Sequence, residues 1–89
     1  MNSRTTREFR RLLAAPPPNV RQQAREAYQL FRENPRHPGL HFKRVHNDPP
    51  IYSARVGIGF RAVGVREGIT MVWFWIGSHA EYDRLVAQL

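Results

Sequence analysis

The chain has 89 residues, 14 Lys+Arg against 7 Asp+Glu, a net charge of +7 and no cysteine. That length makes one domain, residues 1–89, with too small a core for a deep cofactor pocket, and the lack of cysteine excludes disulfides, thiolate metal sites and a cysteine nucleophile. No apolar run approaches the roughly 20 residues of a membrane span, and the basic, polar start does not read as a secretory signal, so the expected setting is the cytoplasm.

In chain order, "TREFRRLLAA" at 6–15 sets Phe9, Leu12 and Leu13 at i, i+3 and i+4 and predicts a short amphipathic helix. Pro16, Pro17 and Pro18 stop it. Asn19, with Gln22 three residues on, is expected to cap a second helix. Its apolar stripe runs through Val20, Ala24, Ala27, Tyr28 and Phe31 to about Glu33, with Arg21, Arg25 and Arg32 opposite. The two helices read as a helical hairpin joined by a proline turn.

From "LHFKRVH" at 40–46 the period changes to two, and "IYSARV" (51–56), "GFRAVGVR" (59–66) and "ITMVWFWI" (69–76) continue it as strands. Turns are expected at 47–50, at Gly57 to Gly59 and at Glu67-Gly68. The last strand is apolar on both faces, as a strand covered on both sides would be. Trp73 and Trp75, two apart, are expected on one face as core. Gly77 ends this strand, and "SHAE" at 78–81 is a capping box opening a C-terminal helix with Tyr82, Leu85, Val86 and Leu89 on its apolar stripe. The predicted fold is α+β: an N-terminal helical hairpin packed on a twisted, mostly antiparallel four-stranded sheet, with a short C-terminal helix.

Thirteen of the fourteen cations are arginine, Lys43 being the exception. Arginine pairs with phosphate through two parallel donors and stacks on bases, so the charge points to nucleic acid or to an acidic protein partner. The four histidines, His37, His41, His46 and His79, form no ligand motif, and no metal or other cofactor is expected. Phosphate-loop and nucleophile-elbow motifs are absent. Cleavage of RNA by its own 2′-hydroxyl needs less: a proton acceptor, a proton donor and a cation for the developing charge. Arg55, Arg61, His79 and Tyr82 could meet these needs, with Lys43, Arg44 and His46 on a neighbouring segment. Each has a plainer reading, as a solvated strand arginine, a core tyrosine or an edge strand protected by charge. His79 is harder to explain structurally, because a helix N-terminus disfavours protonated imidazole.

The two helices followed by "LHFKRVH…IYSARVGIGFRAVGVREGITMVWFWIGSHAEYDRL" resemble the RelE/ParE superfamily of toxins from bacterial type II toxin–antitoxin systems. The arginine-bearing hairpin "YSARVGIGFRAVGV" and the His and Tyr after the hydrophobic strand carry the likeness, over roughly residues 6 to 86. The resemblance implies a small toxin neutralised by an acidic antitoxin and, in RelE-like members, a metal-independent endonuclease that cuts mRNA on the ribosome. By motif position, Arg61 would stabilise the transition state. His79 would be an acid or base, and Tyr82 an acid, base or stacking group. Arg55 would be a supporting phosphate contact, and Lys43, Arg44 and His46 would form the basic segment that approaches RNA. ParE-like members inhibit DNA gyrase without cleaving RNA and are the main alternative; a third reading is a domain that only binds the antitoxin. Many members begin with a β-strand, but "MNSRTTREF" has almost no apolar alternation, so that strand is expected to be lost or very short.

Overall fold

The computed structural model describes residues 1–89. In chain order the elements are β1 (Asn2–Thr5), α1 (Arg7–Leu13), α2 (Pro18–Glu33), a 3-10 turn (Pro38–Leu40), β2 (Lys43–His46), β3 (Ile51–Val56), β4 (Phe60–Glu67), β5 (Thr70–Ser78) and α3 (His79–Ala87). The sheet order is β1-β5-β4-β3-β2. β2 to β5 form an antiparallel meander, and β1 runs parallel to β5. The sheet is therefore mixed and has five strands, not the four expected.

The extra strand was invisible to periodicity because backbone and polar contacts hold it. Asn2 N–H donates to the Ile69 carbonyl (2.9 Å) and Thr6 N–H to that of Trp73 (3.0 Å). The Trp73 indole N–H donates to Ser3 Oγ at 2.9 Å, and the Tyr28 hydroxyl to the Ser3 carbonyl at 3.3 Å. A buried indole needs such a partner, so one serine stands where a hydrophobic residue would have signalled a strand.

Both helices of the hairpin cover one face of the sheet, α1 over β5 and α2 over β3. Thr6 caps α1 by accepting from Phe9 N–H at 3.1 Å. The expected Asn19 cap on α2 is not formed. Pro17 holds the N-cap position with no side-chain bond, and Asn19 lies inside the first turn. Proline at the helix start has no N–H to satisfy and a preset φ, so the helix begins earlier than the cap residue suggested. Beneath the helices lie Phe9, Ala24, Phe31, Leu40, Ala54, Val56, Ala62, Met71, Trp73 and Ile76. Phe31 meets Phe42 and Trp73 edge to face, with centroids 5.1 and 5.3 Å apart. Burying Phe31 contributes roughly 1.5–3 kcal/mol. Leu40 and Phe42, expected in a strand, precede β2; Leu40 closes the core from the 3-10 turn.

The other face carries a smaller cluster of Ile51, Val63 and Tyr82, with Val45, Phe74, Trp75, Leu85 and Val86 packed against it from β2, β5 and α3. Trp73 and Trp75 do not share a face. The pairing steps from Val63↔Trp75 to Gly64↔Trp73, so Phe74 is an extra residue in a bulge. The bulge breaks the two-residue alternation, and each tryptophan packs in a different cluster.

Candidate functional site

The predicted catalytic residues meet where α3 lies on the sheet. Its start is fixed by the expected capping box: Ser78 Oγ accepts from Glu81 N–H (3.2 Å), and the Glu81 carboxylate accepts from Ser78 N–H (2.8 Å). The Ser78 N–H, followed by the Ser78 hydroxyl, holds the Glu81 carboxyl below the usual carboxylate range. A depressed carboxyl adds stability above its unfolded pKa and loses it as pH falls through the lower, folded value. We therefore expect α3 to loosen in that acid window. Thermal unfolding followed by circular dichroism down the acid limb checks this; in Glu81→Gln this component of the pH dependence should vanish. Ser78→Ala should cost about 1 kcal/mol.

His79 follows the cap. Its N–H donates to the Gly59 carbonyl at 2.9 Å, tying α3 to the β3–β4 turn, while the residue remains exposed. One helical turn on, Tyr82 points into the sheet and is 6% exposed. Its hydroxyl donates to Ser53 Oγ at 3.0 Å, and Ser53 is fully buried. The imidazole of His79 stacks against the Tyr82 ring, with centroids 6.1 Å apart and planes 11° from parallel. Arg61 approaches the same ring from β4, its Cζ 5.5 Å from the centroid. The geometry thus brings Arg61, His79 and Tyr82 together, with the phenol ring as the shared wall.

Arg61 stands opposite Gly77 on β5 and Arg55 on β3. A Cβ at Gly77 would lie 2.6 Å from the Trp75 ring, so glycine lets that indole cross the strand beside the site. Arg61 Nη1 is buried and has no hydrogen-bond partner. An unmet buried donor costs about 1–3 kcal/mol, and attraction to the Tyr82 ring offsets roughly 0.5–2 kcal/mol of it.

The remaining basic residues do not form one patch. Arg55 donates from Nε to the Gly57 carbonyl (2.9 Å) and from Nη1 to His41 Nε2 (3.4 Å), turning toward α2 and the 3-10 turn. His41 precedes β2, with φ of 46°. Lys43 pairs with Ser53 and so lies on the Tyr82 face, while Arg44 pairs with Tyr52 and lies on the opposite face. His46 pairs with Ile51 beyond a bulge and donates from Nδ1 to the Pro49 carbonyl at 3.1 Å. No three His, Asp or Glu side chains gather as metal ligands.

Sequence reasoning missed Ser53, which anchors the Tyr82 hydroxyl. Its signal was a polar residue in phase with Ile51 on the strand. It also missed the open groove of about 800 Å³ between the hairpin helices and the sheet. Phe9, Leu13 and Tyr28 line it, with Arg10, Arg25 and Arg32 among its polar residues. No helix is long and apolar enough to cross a membrane.

Residues 18–84 match the family described as ParE-like toxin domain. Among solved structures, the chain is similar to a copper-bound point mutant of a toxin from Helicobacter pylori, with a TM-score of 0.59 at 15% identity over 91% of this chain and 97% of that one. No curated sequence gives a significant match. A hairpin of helices on a five-stranded mixed sheet, an arginine-bearing β3–β4 hairpin and a family match spanning most of the chain agree: it belongs to the ParE-like toxin domains of the RelE/ParE superfamily.

Proposed function

We propose that this toxin is a metal-independent, ribosome-dependent mRNA endonuclease. The observation that carries the reading is the convergence of Arg61 and His79 on the Tyr82 ring. The 2′-oxygen of a nucleotide attacks its own phosphorus, forming the O2′–P bond as the P–O5′ bond breaks. The 2′-hydroxyl proton goes to a base, and the departing 5′-oxygen takes one from an acid. The products are a 2′,3′-cyclic phosphate and a 5′-hydroxyl. Exposed His79 serves one of the proton transfers, worth roughly 10²–10⁴-fold. Arg61 stabilises the charge on the phosphoryl oxygens. Tyr82, with its hydroxyl committed to Ser53, acts as the stacking group that holds both. Lys43 extends the basic face, and Arg55, Arg44 and His46 are outer phosphate contacts.

A toxin domain implies an antitoxin, and the helix-side groove with Arg10, Arg25 and Arg32 suits an amphipathic acidic segment. The test is an in vitro translation reaction with a defined mRNA, with and without ribosomes, in which new 5′ ends are mapped by primer extension. Breaks at A-site codons only when ribosomes are present support the reading; intact mRNA and normal translation sink it. One observation favours a second reading: burial of the Tyr82 hydroxyl leaves a single exposed proton-transfer residue beside Arg61. A gyrase inhibitor needs no acid–base pair, and a supercoiling assay would detect one.

A further inference from the structure

On the sheet face opposite His79, Arg44, named above as an outer phosphate contact, gathers with Tyr52 and Arg66 at the β2 edge. Arg44 and Tyr52 are cross-strand partners, and the Arg44 Cζ lies 5.4 Å from the Tyr52 ring centroid. Tyr52 pairs in turn with Gly64 on β4. Arg66, two residues along the same strand and therefore on the same face, stands diagonally across from Tyr52. Arg66 is anchored by its Nε–H, which donates to the Gly68 carbonyl at 2.9 Å, leaving both terminal nitrogens unspent by that bond. Phe42 stacks on Tyr52 at 4.9 Å and 16°, which fixes the ring in place.

Two guanidinium groups on one phenol repel each other, yet no carboxylate separates them. The ion pairs of the chain are Arg4–Glu67 and Arg11–Glu8, and neither involves Arg44 or Arg66. The hydroxyl itself is held below the usual phenol range, first by Arg66 and then by Arg44. Arg44, Arg66 and the phenol O–H thus offer donors with no acceptor of matching charge. Phosphate, with several acceptor oxygens and a negative charge, fits such a set. The site adjoins Lys43 through the chain while facing the other way, so one strand crossing the β2 edge can touch both faces.

We propose that Arg44, Tyr52 and Arg66 form a second phosphate site, which holds the backbone of single-stranded RNA where it passes over the β2 edge. The proposal rests on the nucleic-acid reading of the protein but not on Arg61 chemistry. The site contributes affinity independent of base sequence, because each contact is to phosphate.

Binding of a fluorescein-labelled RNA 12-mer, followed by anisotropy over a salt series, tests it. Each phosphate contact on a single strand contributes roughly 0.7 to the slope of log K against log salt. Arg44→Gln/Arg66→Gln should therefore lower the slope by about 1.4. Nuclear magnetic resonance of the intact chain should show the Tyr52 ring and both arginine Nε–H signals moving with the 12-mer and with inorganic phosphate. Bound phosphate should also raise the Tyr52 titration toward the ordinary phenol value, a change absent in Tyr52→Phe. An unchanged slope, RNA that leaves these signals still, RNA that does not bind at all, or preferential capture of a glutamate oligopeptide there would each overturn the proposal. Failure of the cleavage reading looks different: no mRNA breaks, with RNA still held by these residues.

Discussion

Arg61→Ala is expected to lower ribosome-dependent mRNA cleavage on the order of 10²–10³-fold, the usual loss when one well-placed donor to a developing charge is removed. The thermal midpoint should move little. Losing the guanidinium removes the attraction to the Tyr82 ring, but it also removes the buried Nη1 that has no partner. Those two effects, roughly 0.5–2 kcal/mol and about 1–3 kcal/mol, are opposite in sign. Arg61→Lys should recover only part of the rate, since a point charge lacks the planar fork. Primer extension on translating ribosomes gives the rate, and calorimetry gives the midpoint. Full cleavage by a folded Arg61→Ala protein would remove this residue from the chemistry.

The second large effect concerns Tyr82, where two substitutions separate two roles. Tyr82→Ala should cost about 3–5 kcal/mol, the range for deleting a buried aromatic ring, which is a large share of the stability of a small domain. Tyr82→Phe keeps the ring under Arg61 and beside His79. It strands the buried Ser53 hydroxyl at about 1–3 kcal/mol, and Ser53→Ala in the same chain should restore much of that loss. Under the stacking role, Tyr82→Phe cleaves within about tenfold of the parent, whereas loss of a proton-transfer group would cost about 10²–10⁴. Urea unfolding and single-turnover cleavage of the folded fraction measure both. A drop of a thousandfold in Tyr82→Phe would return the phenol to acid–base duty.

The legible parts of the fold were those where side-chain period and burial agree. The stripe of Val20, Ala24 and Phe31 marked α2, the alternation of Tyr52, Ala54 and Val56 marked β3, and Ser78 with Glu81 marked the start of α3. What escaped was set by backbone geometry. β1 is held by main-chain bonds and the Ser3 hydroxyl, which leave no hydrophobic trace. The bulge at Phe74 sends Trp73 and Trp75 apart although their spacing puts them together. In the candidate site, residue types offered Arg55, Arg61, His79 and Tyr82, and the family resemblance singled out the last three; the fold brings those three together, while Arg55 turns to Gly57 and His41. The run of Lys43, Arg44 and His46 read as one patch, yet strand alternation divides it between two faces. Nothing local to Tyr82 revealed that its hydroxyl would meet Ser53, because that partner is 29 residues away.

The parallel pairing of β1 with β5 ties the order of synthesis to the order of assembly. Asn2 to Thr5 are made well before their partners, Thr70 to Trp73. Until those residues emerge, the first strand has nothing to zip against, and the Trp73 indole that Ser3 serves does not exist. Arg61, His79 and Tyr82 likewise come from the last third of the sequence. Contacts so distant in sequence form late and slowly. The outer strand and the candidate site are therefore completed together, once β5 and α3 have been made.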